Sequence, residues 1–134
     1  MLIATITALY LLLSGGGSDA DGAPRKLWFD RAHELVGDYV KDEDRADRAR
    51  SILEEMQDEN QAFMERVLEL REKLGEVDRD YHAKREDYWT IYREIGAEWT
   101  AKEKLLLNLL FDLKKEIPPE EWTPLFAEVY RRSK

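Results

Sequence analysis

Cysteine is absent from this chain of 134 residues. Thiolate nucleophiles, Cys-ligated zinc, iron–sulfur clusters, lipid attachment to Cys and disulfides are excluded together, and cysteine usage gives no reading of the redox compartment. Histidine is nearly as scarce, with two residues, His33 and His82. An excess of basic charge is also lacking: 21 Lys and Arg stand against 29 Asp and Glu, a net charge of -8. Phosphate contacts need a concentrated basic face, so no nucleic-acid partner is expected. Phosphate-cradling glycine loops and a G-x-S-x-G nucleophile turn are missing as well. Gly15-Gly16-Gly17 leads into Asp19 and Asp21, which would repel a phosphate. No Ser has a His at a meaningful spacing, so no catalytic residue is nominated, and neither a cofactor nor a small-molecule substrate is expected. At this length a second full catalytic core has no room.

Charge is missing from one particular place. Every charged residue lies at or after Asp19. Residues 1–18 form an uncharged block, apolar from Leu2 to Leu13 apart from two Thr, and the block divides the chain. It is short for a spanning helix but feasible if the glycines sit at the interface. The same run fits the core of a cleaved signal, with Ser18 and Ala20 placed as a cleavage site requires, although no Lys or Arg precedes it. A buried element of a soluble domain is the third alternative. Residues 1–18 are therefore assigned as an N-terminal membrane anchor or signal segment, 19–24 as a flexible tether and 25–134 as a helical domain. With only Arg25 and Lys26 beside the segment, the domain is placed outside the cytoplasm, on the periplasmic side.

Within 25–134 the apolar residues recur at helical spacing, and no strand pattern appears. Leu27, Trp28, Ala32, Leu35, Val36 and Tyr39 predict a helix over 25–40. Asp42 or Asp44 can cap the next one. From Ala49 a heptad follows: Ala49, Met56, Phe63, Leu70, Val77 and Ile91 share one position, and Leu53, Val67, Leu74, Tyr81, Tyr88 and Ile95 the other. Asn60 and Lys84 are its only polar members, and the register slips by one after Ile95, the mark of a stutter. Taken as one helix, 45–116 would be a rod of about 108 Å, which a monomer cannot bury. The alternative is an antiparallel hairpin with Gly75 as C-cap and Asp78 as the following N-cap, giving helices over 44–74 and 78–116. Thr100-Ala101-Lys102-Glu103 has capping-box spacing, so a local break there is a further alternative. Leu105 to Leu113 is apolar nearly all round and needs neighbours on several sides. Ile117-Pro118-Pro119 stops that arm, and Trp122, Leu125, Phe126, Val129 and Tyr130 form the stripe of a last helix over 119–132. The expected fold is all-α: a long coiled-coil-like antiparallel hairpin covered by short N- and C-terminal helices, preceded by an apolar N-terminal helix.

Candidate sites are few. Asp30 and His33 have the i, i+3 carboxylate–imidazole spacing of di-iron bundles, and Asp78 and His82 share a helix face at i, i+4. A di-iron centre would need further inward Glu residues interrupting the seam, and none does, so these four are weak candidates and no metal is expected. Asp42-Glu43-Asp44 resembles a calcium loop in composition only, since it lacks the central glycine and its twelfth position is Leu53. The aromatics are denser than a minimal bundle requires. Trp89, Tyr92, Trp99, Trp122 and Phe126 are the partner-binding candidates, and Trp89, beside the seam, either receives a terminal helix or anchors a partner. Arg79, Arg85 and Arg93 alternate with Asp78, Asp80, Glu86, Asp87 and Glu94, the pattern of ion pairs on an exposed helix face.

In architecture, a small extracytoplasmic helical hairpin behind an export or anchor segment is broadly similar to the periplasmic stress chaperones of the Spy and CpxP type. Those carry paired L-T-x-x-Q motifs. Trp99-Thr100-Ala101-Lys102-Glu103 and Trp122-Thr123-Pro124-Leu125-Phe126 keep the Thr and lose both Leu and Gln, so the likeness covers no contiguous motif. Two functional expectations follow. The first is a membrane-tethered, non-enzymatic helical protein acting by protein–protein contact as scaffold, sensor or accessory subunit, with a protein partner or a homo-oligomer. The second is an exported periplasmic chaperone-like or metal-binding hairpin, which the resemblance implies.

Overall fold

A computed structural model describes residues 23–132. The expected apolar N-terminal helix, the anchor and most of the tether lie outside the described residues. Four helices follow one another: α1 (Ala23–Tyr39), α2 (Glu43–Arg79), α3 (Arg85–Glu116) and α4 (Pro119–Arg132). The fold is all-α, a long helix pair covered by short N- and C-terminal helices. The described residues gather into two compact units. One comprises residues 23–57 together with 111–132, and the other is Asp58–Leu110.

In the first unit, α1 and α4 pack on each other. Trp28 meets Phe29 edge-on at 5.1 Å and stacks on Phe126 at 5.9 Å, and Trp122 lies 4.3 Å from Phe126 on its own helix. Ala32, Leu35 and Val36 of α1, Ala49, Leu53 and Met56 of α2, Leu113 of α3 and Leu125 and Val129 of α4 are almost fully enclosed. Burial of the Val, Leu and Met side chains among them is worth about 1.5–3 kcal/mol each and is what lets two short helices hold. Polar links edge this core: His33 Nε2 to Glu54 Oε1 at 2.9 Å, Arg48 Nε to Glu116 Oε2 at 2.8 Å, and the Lys41 backbone N–H to Glu121 Oε1 at 3.2 Å. Burial pushes the Tyr130 phenol up to about 12. At the end of α4, Arg131 and Arg132 fork onto Glu128 and hold its carboxyl down to about 2.

The helix ends follow from local chemistry. Asp42 caps α2, its Oδ1 accepting the Arg45 N–H at 3.1 Å, and Glu43 and Asp44 suit the positive end. The Pro118 carbonyl accepts the N–H groups of Glu121 and Trp122 as α4 opens. Pro124 sits inside α4 without an N–H to give, at an exposed position. The break expected at Gly75, and the alternative one at Thr100, do not occur. No positive φ marks Gly75, and α2 runs on through it to Arg79, so the turn lies at 80–84 rather than at 75–77. Asp78 is accordingly the last turn of α2 and not an N-cap. Likewise α3 is unbroken at Thr100, because Glu103 accepts the Trp99 indole N–H at 2.7 Å instead of reaching back to a cap. Gly75 and Gly96 are thus both mid-helix, where glycine costs roughly 1 kcal/mol relative to alanine. Around Gly96 a Cβ would meet nothing within 4 Å, and at Gly75 only the tip of Arg79 at 4.0 Å, so neither is demanded by packing inside the fold.

In the unit Asp58–Leu110, Phe63 and Leu70 of α2 and Ile91, Leu106, Leu109 and Leu110 of α3 are buried. Phe63 meets Trp99 edge-on at 5.6 Å, and Arg66 Nε reaches Glu98 Oε1 at 3.3 Å. Asn60 is the polar intruder. It is 8% exposed, and its Oδ1 has no partner among the described residues. An unmet buried carbonyl costs about 1–3 kcal/mol, so Asn60→Leu is expected to stabilise the chain by an amount of that order. Equilibrium urea unfolding of the two chains, with unchanged m-value, checks this.

Candidate functional site

The turn is built by carboxylates. Asp80 Oδ1 accepts the His82 N–H at 2.9 Å, and Asp87 Oδ2 accepts the Lys84 N–H at 2.8 Å, half of a capping box that starts α3. Asp78, on the last turn of α2, takes a hydrogen bond from the Tyr88 hydroxyl on the first turn of α3, which holds the Tyr88 phenol above its ordinary range. The members of each weak candidate pair have other partners or stand exposed. His33 is paired with Glu54 while Asp30 is exposed, Asp78 serves Tyr88, and the His82 ring packs edge-on against Tyr81 at 5.5 Å. Among the described residues no group of three or more His, Asp and Glu is arranged to hold a metal ion. Glu76, Asp80 and Asp87 line an open groove beside the turn together with Val77, Ala83 and Thr90. The buried polar side chains among the described residues are Asn60 and Lys102.

The aromatic candidates separate into three environments. Trp89 and Tyr92 are each 51% exposed and meet edge-on with centroids 6.2 Å apart, and Tyr81 at the turn is 95% exposed. Tyr88 faces Asp78, and each step along a helix turns by about 100°, so Trp89 is carried off the seam towards solvent. Trp99 and Trp122 are half-buried. Phe126 is a correction: at 3% exposure it lies between Trp28 and Trp122 and belongs to the core, with no surface to offer a partner.

Lys102 is a residue that sequence reasoning passed over. It is 6% exposed, with Nζ 3.9 Å from the Trp99 ring centroid and 4.2 Å from that of Phe63. A desolvated cation over two ring faces is worth up to about 2 kcal/mol per contact. The signal was the i, i+3 spacing of Trp99 and Lys102, which places the lysine on the seam side of α3. Leu68 is the other omission, 57% exposed on α2.

The Tyr88–Asp78 bond gives a pH dependence of definite sign. A phenol whose folded value is raised above 10 favours the neutral form in the fold. Its contribution is complete below pH 10 and is lost as pH rises through the raised folded value. Tyr88→Phe is expected to reduce the alkaline loosening read by far-UV ellipticity without abolishing it, because the Tyr130 phenol, raised to about 12 by burial, contributes as well. Comparison with known proteins found no matching protein family, no matching curated protein and no matching solved structure, so the functional reading rests on this geometry and on the sequence.

Proposed function

We propose that this chain is a non-enzymatic helical protein working by protein–protein contact, as a scaffold, sensor or accessory subunit. Residues 1–18 hold it to a membrane, and the helical domain lies on the periplasmic side. The observation that carries the reading is the half-exposed Trp89–Tyr92 pair on α3. Tryptophan and tyrosine held on a rigid helix lose little entropy on binding and are the side chains that most often anchor an interface. Among the described residues no helix is long and apolar enough to cross a membrane, so the anchor is assigned to residues 1–18 on their composition alone.

The second reading, an exported chaperone-like hairpin, draws on the same exposed aromatics, with unfolded clients in place of a fixed partner. One experiment separates the two. Cells expressing the full chain are fractionated, the intact mass is measured, and a photo-crosslinking residue is placed at Thr90, beside the aromatic pair. The proposed function predicts full-length protein in the membrane fraction and discrete crosslinked adducts that fall at least tenfold in Trp89→Ala/Tyr92→Ala, with ellipticity unchanged. A soluble product cut near Ala20, giving diffuse adducts and protecting unfolded clients from aggregation, would establish the second reading instead.

A further inference from the structure

Every exposed residue of α3 from Trp89 to Asn108 is neutral or cationic: the carboxylates in that stretch, Glu94, Glu98 and Glu103, are all partly covered. In a chain of net charge -8 this is an unusual face. The exposed side of α2 in the same unit is more acidic, carrying Asp58, Glu65, Glu72 and Glu76 interspersed with the cations Arg71, Lys73 and Arg79. Asp58 and Glu72 make no ion pair among the described residues.

The register of the hairpin supplies the second half of the argument. Arg66 and Glu98 stand level across it. Two residues further along α2 and two back along α3 bring Leu68 level with Gly96, and seven more on each bring Gly75 level with Trp89. A seven-residue step returns to the same helix face, so Leu68 and Gly75 share a face of α2, and Gly96 and Trp89 a face of α3. Both are turned from the buried seam in the same sense, which in an antiparallel pair puts them on one side of the hairpin. Each level therefore holds one protruding apolar side chain, Leu68 or Trp89, and one mid-helix glycine, Gly96 open and Gly75 bounded by the tip of the flexible Arg79 side chain at 4.0 Å.

We infer that the unit Asp58–Leu110 is half of a four-helix bundle completed by a second copy of this chain, with Leu68 and Trp89 of each copy seated over Gly96 and Gly75 of the other. The inference rests on the reading that the chain acts by protein contact, and it names the partner. A twofold axis parallel to the helices keeps every residue at its own level and sets α3 of one copy on α2 of the other. Knob then meets hole at both levels, and the closed twofold makes each contact twice. Charge selects this axis. The alternative, a twofold perpendicular to the helices, sets α2 on α2 and brings the carboxylates of the two copies together. In the chosen arrangement Lys104 stands level with the neighbourhood of Asp58 and Gln61, while Arg93, already paired with Glu86, stands level with Arg71 and does not contribute to the choice. About 30 Å of paired helix, two helices wide, covers about 600 Å² per copy, which totals about 1,200 Å² and reaches the range of stable dimers. The two glycines, unexplained inside one chain, are what a close approach of helices requires.

The absence of cysteine makes the test clean. Full chains in mild detergent micelles are followed by sedimentation, and Leu68→Cys chains are mixed with Gly96→Cys chains under oxidising conditions. A dimer is expected, with a disulfide-linked heterodimer in that mixture and at least tenfold less in a mixture of Leu68→Cys with Asn108→Cys, which are not level. Gly96→Leu should weaken the dimer at least tenfold, while the melting midpoint of the dilute chain stays level or rises, since leucine is the better helix former and meets open space. A monomeric parent chain, a dimer indifferent to Gly96→Leu, or equal crosslinking in the two mixtures would overturn the inference. A monomer that still gives Trp89-dependent crosslinks to another membrane protein would overturn the dimer alone and leave the proposed function standing. Loss of both would remove both.

Discussion

A helix with an apolar seam along its length gains nothing from that seam until a second seam lies against it. That constraint organises α2 and α3. Their propensities are good but their interiors carry two glycines and one buried asparagine, and the pairing of the seams offsets those costs. The two helices set a register through Phe63 with Trp99 and Arg66 with Glu98. From the register follow the placement of Lys102 over two rings and the levels at which Leu68, Gly75, Trp89 and Gly96 stand. The terminal helices solve the same problem differently. α1 and α4 are too short to be stable alone, and they are held by burying Trp28, Phe126 and their neighbours together.

Much of this was legible in the sequence because it depends on periodicity and on residues with a single strong preference. The heptad positions, a cap at Asp42 or Asp44, the stop at Ile117-Pro118-Pro119 and the need for covering helices all belong to that class. The position of the turn did not. Tyr81 falls on a heptad slot by arithmetic, yet it lies in the turn, because the turn is fixed by Asp80 and Asp87 binding backbone N–H groups. Gly75 has the composition of a cap and the backbone of a helix interior, a choice that a lone glycine does not encode.

The candidate site was legible to a similar depth. Period places Trp89 off the seam, and the exposure of the Trp89–Tyr92 pair follows. Trp122 and Phe126 share a stripe, and only the position of Trp28 decides that Phe126 is the one enclosed. Lysine is so commonly a surface residue that Lys102 drew no notice, although its ammonium is accommodated by aromatic faces that the seam was already known to carry.

The turn also imposes an order of events. Its bonds link residues two to ten positions apart, from His82 with Asp80 to Tyr88 with Asp78, so closing it sacrifices little chain entropy. Each further level of the seam then adds a contact between residues already brought close. The contact of Trp28 with Phe126 spans most of the chain and carries the full entropic cost of closure unless the hairpin has formed first. Folding that starts at the turn and zips away from it, with α1 and α4 docking last, is the kinetic counterpart of three carboxylates spent on five residues of loop.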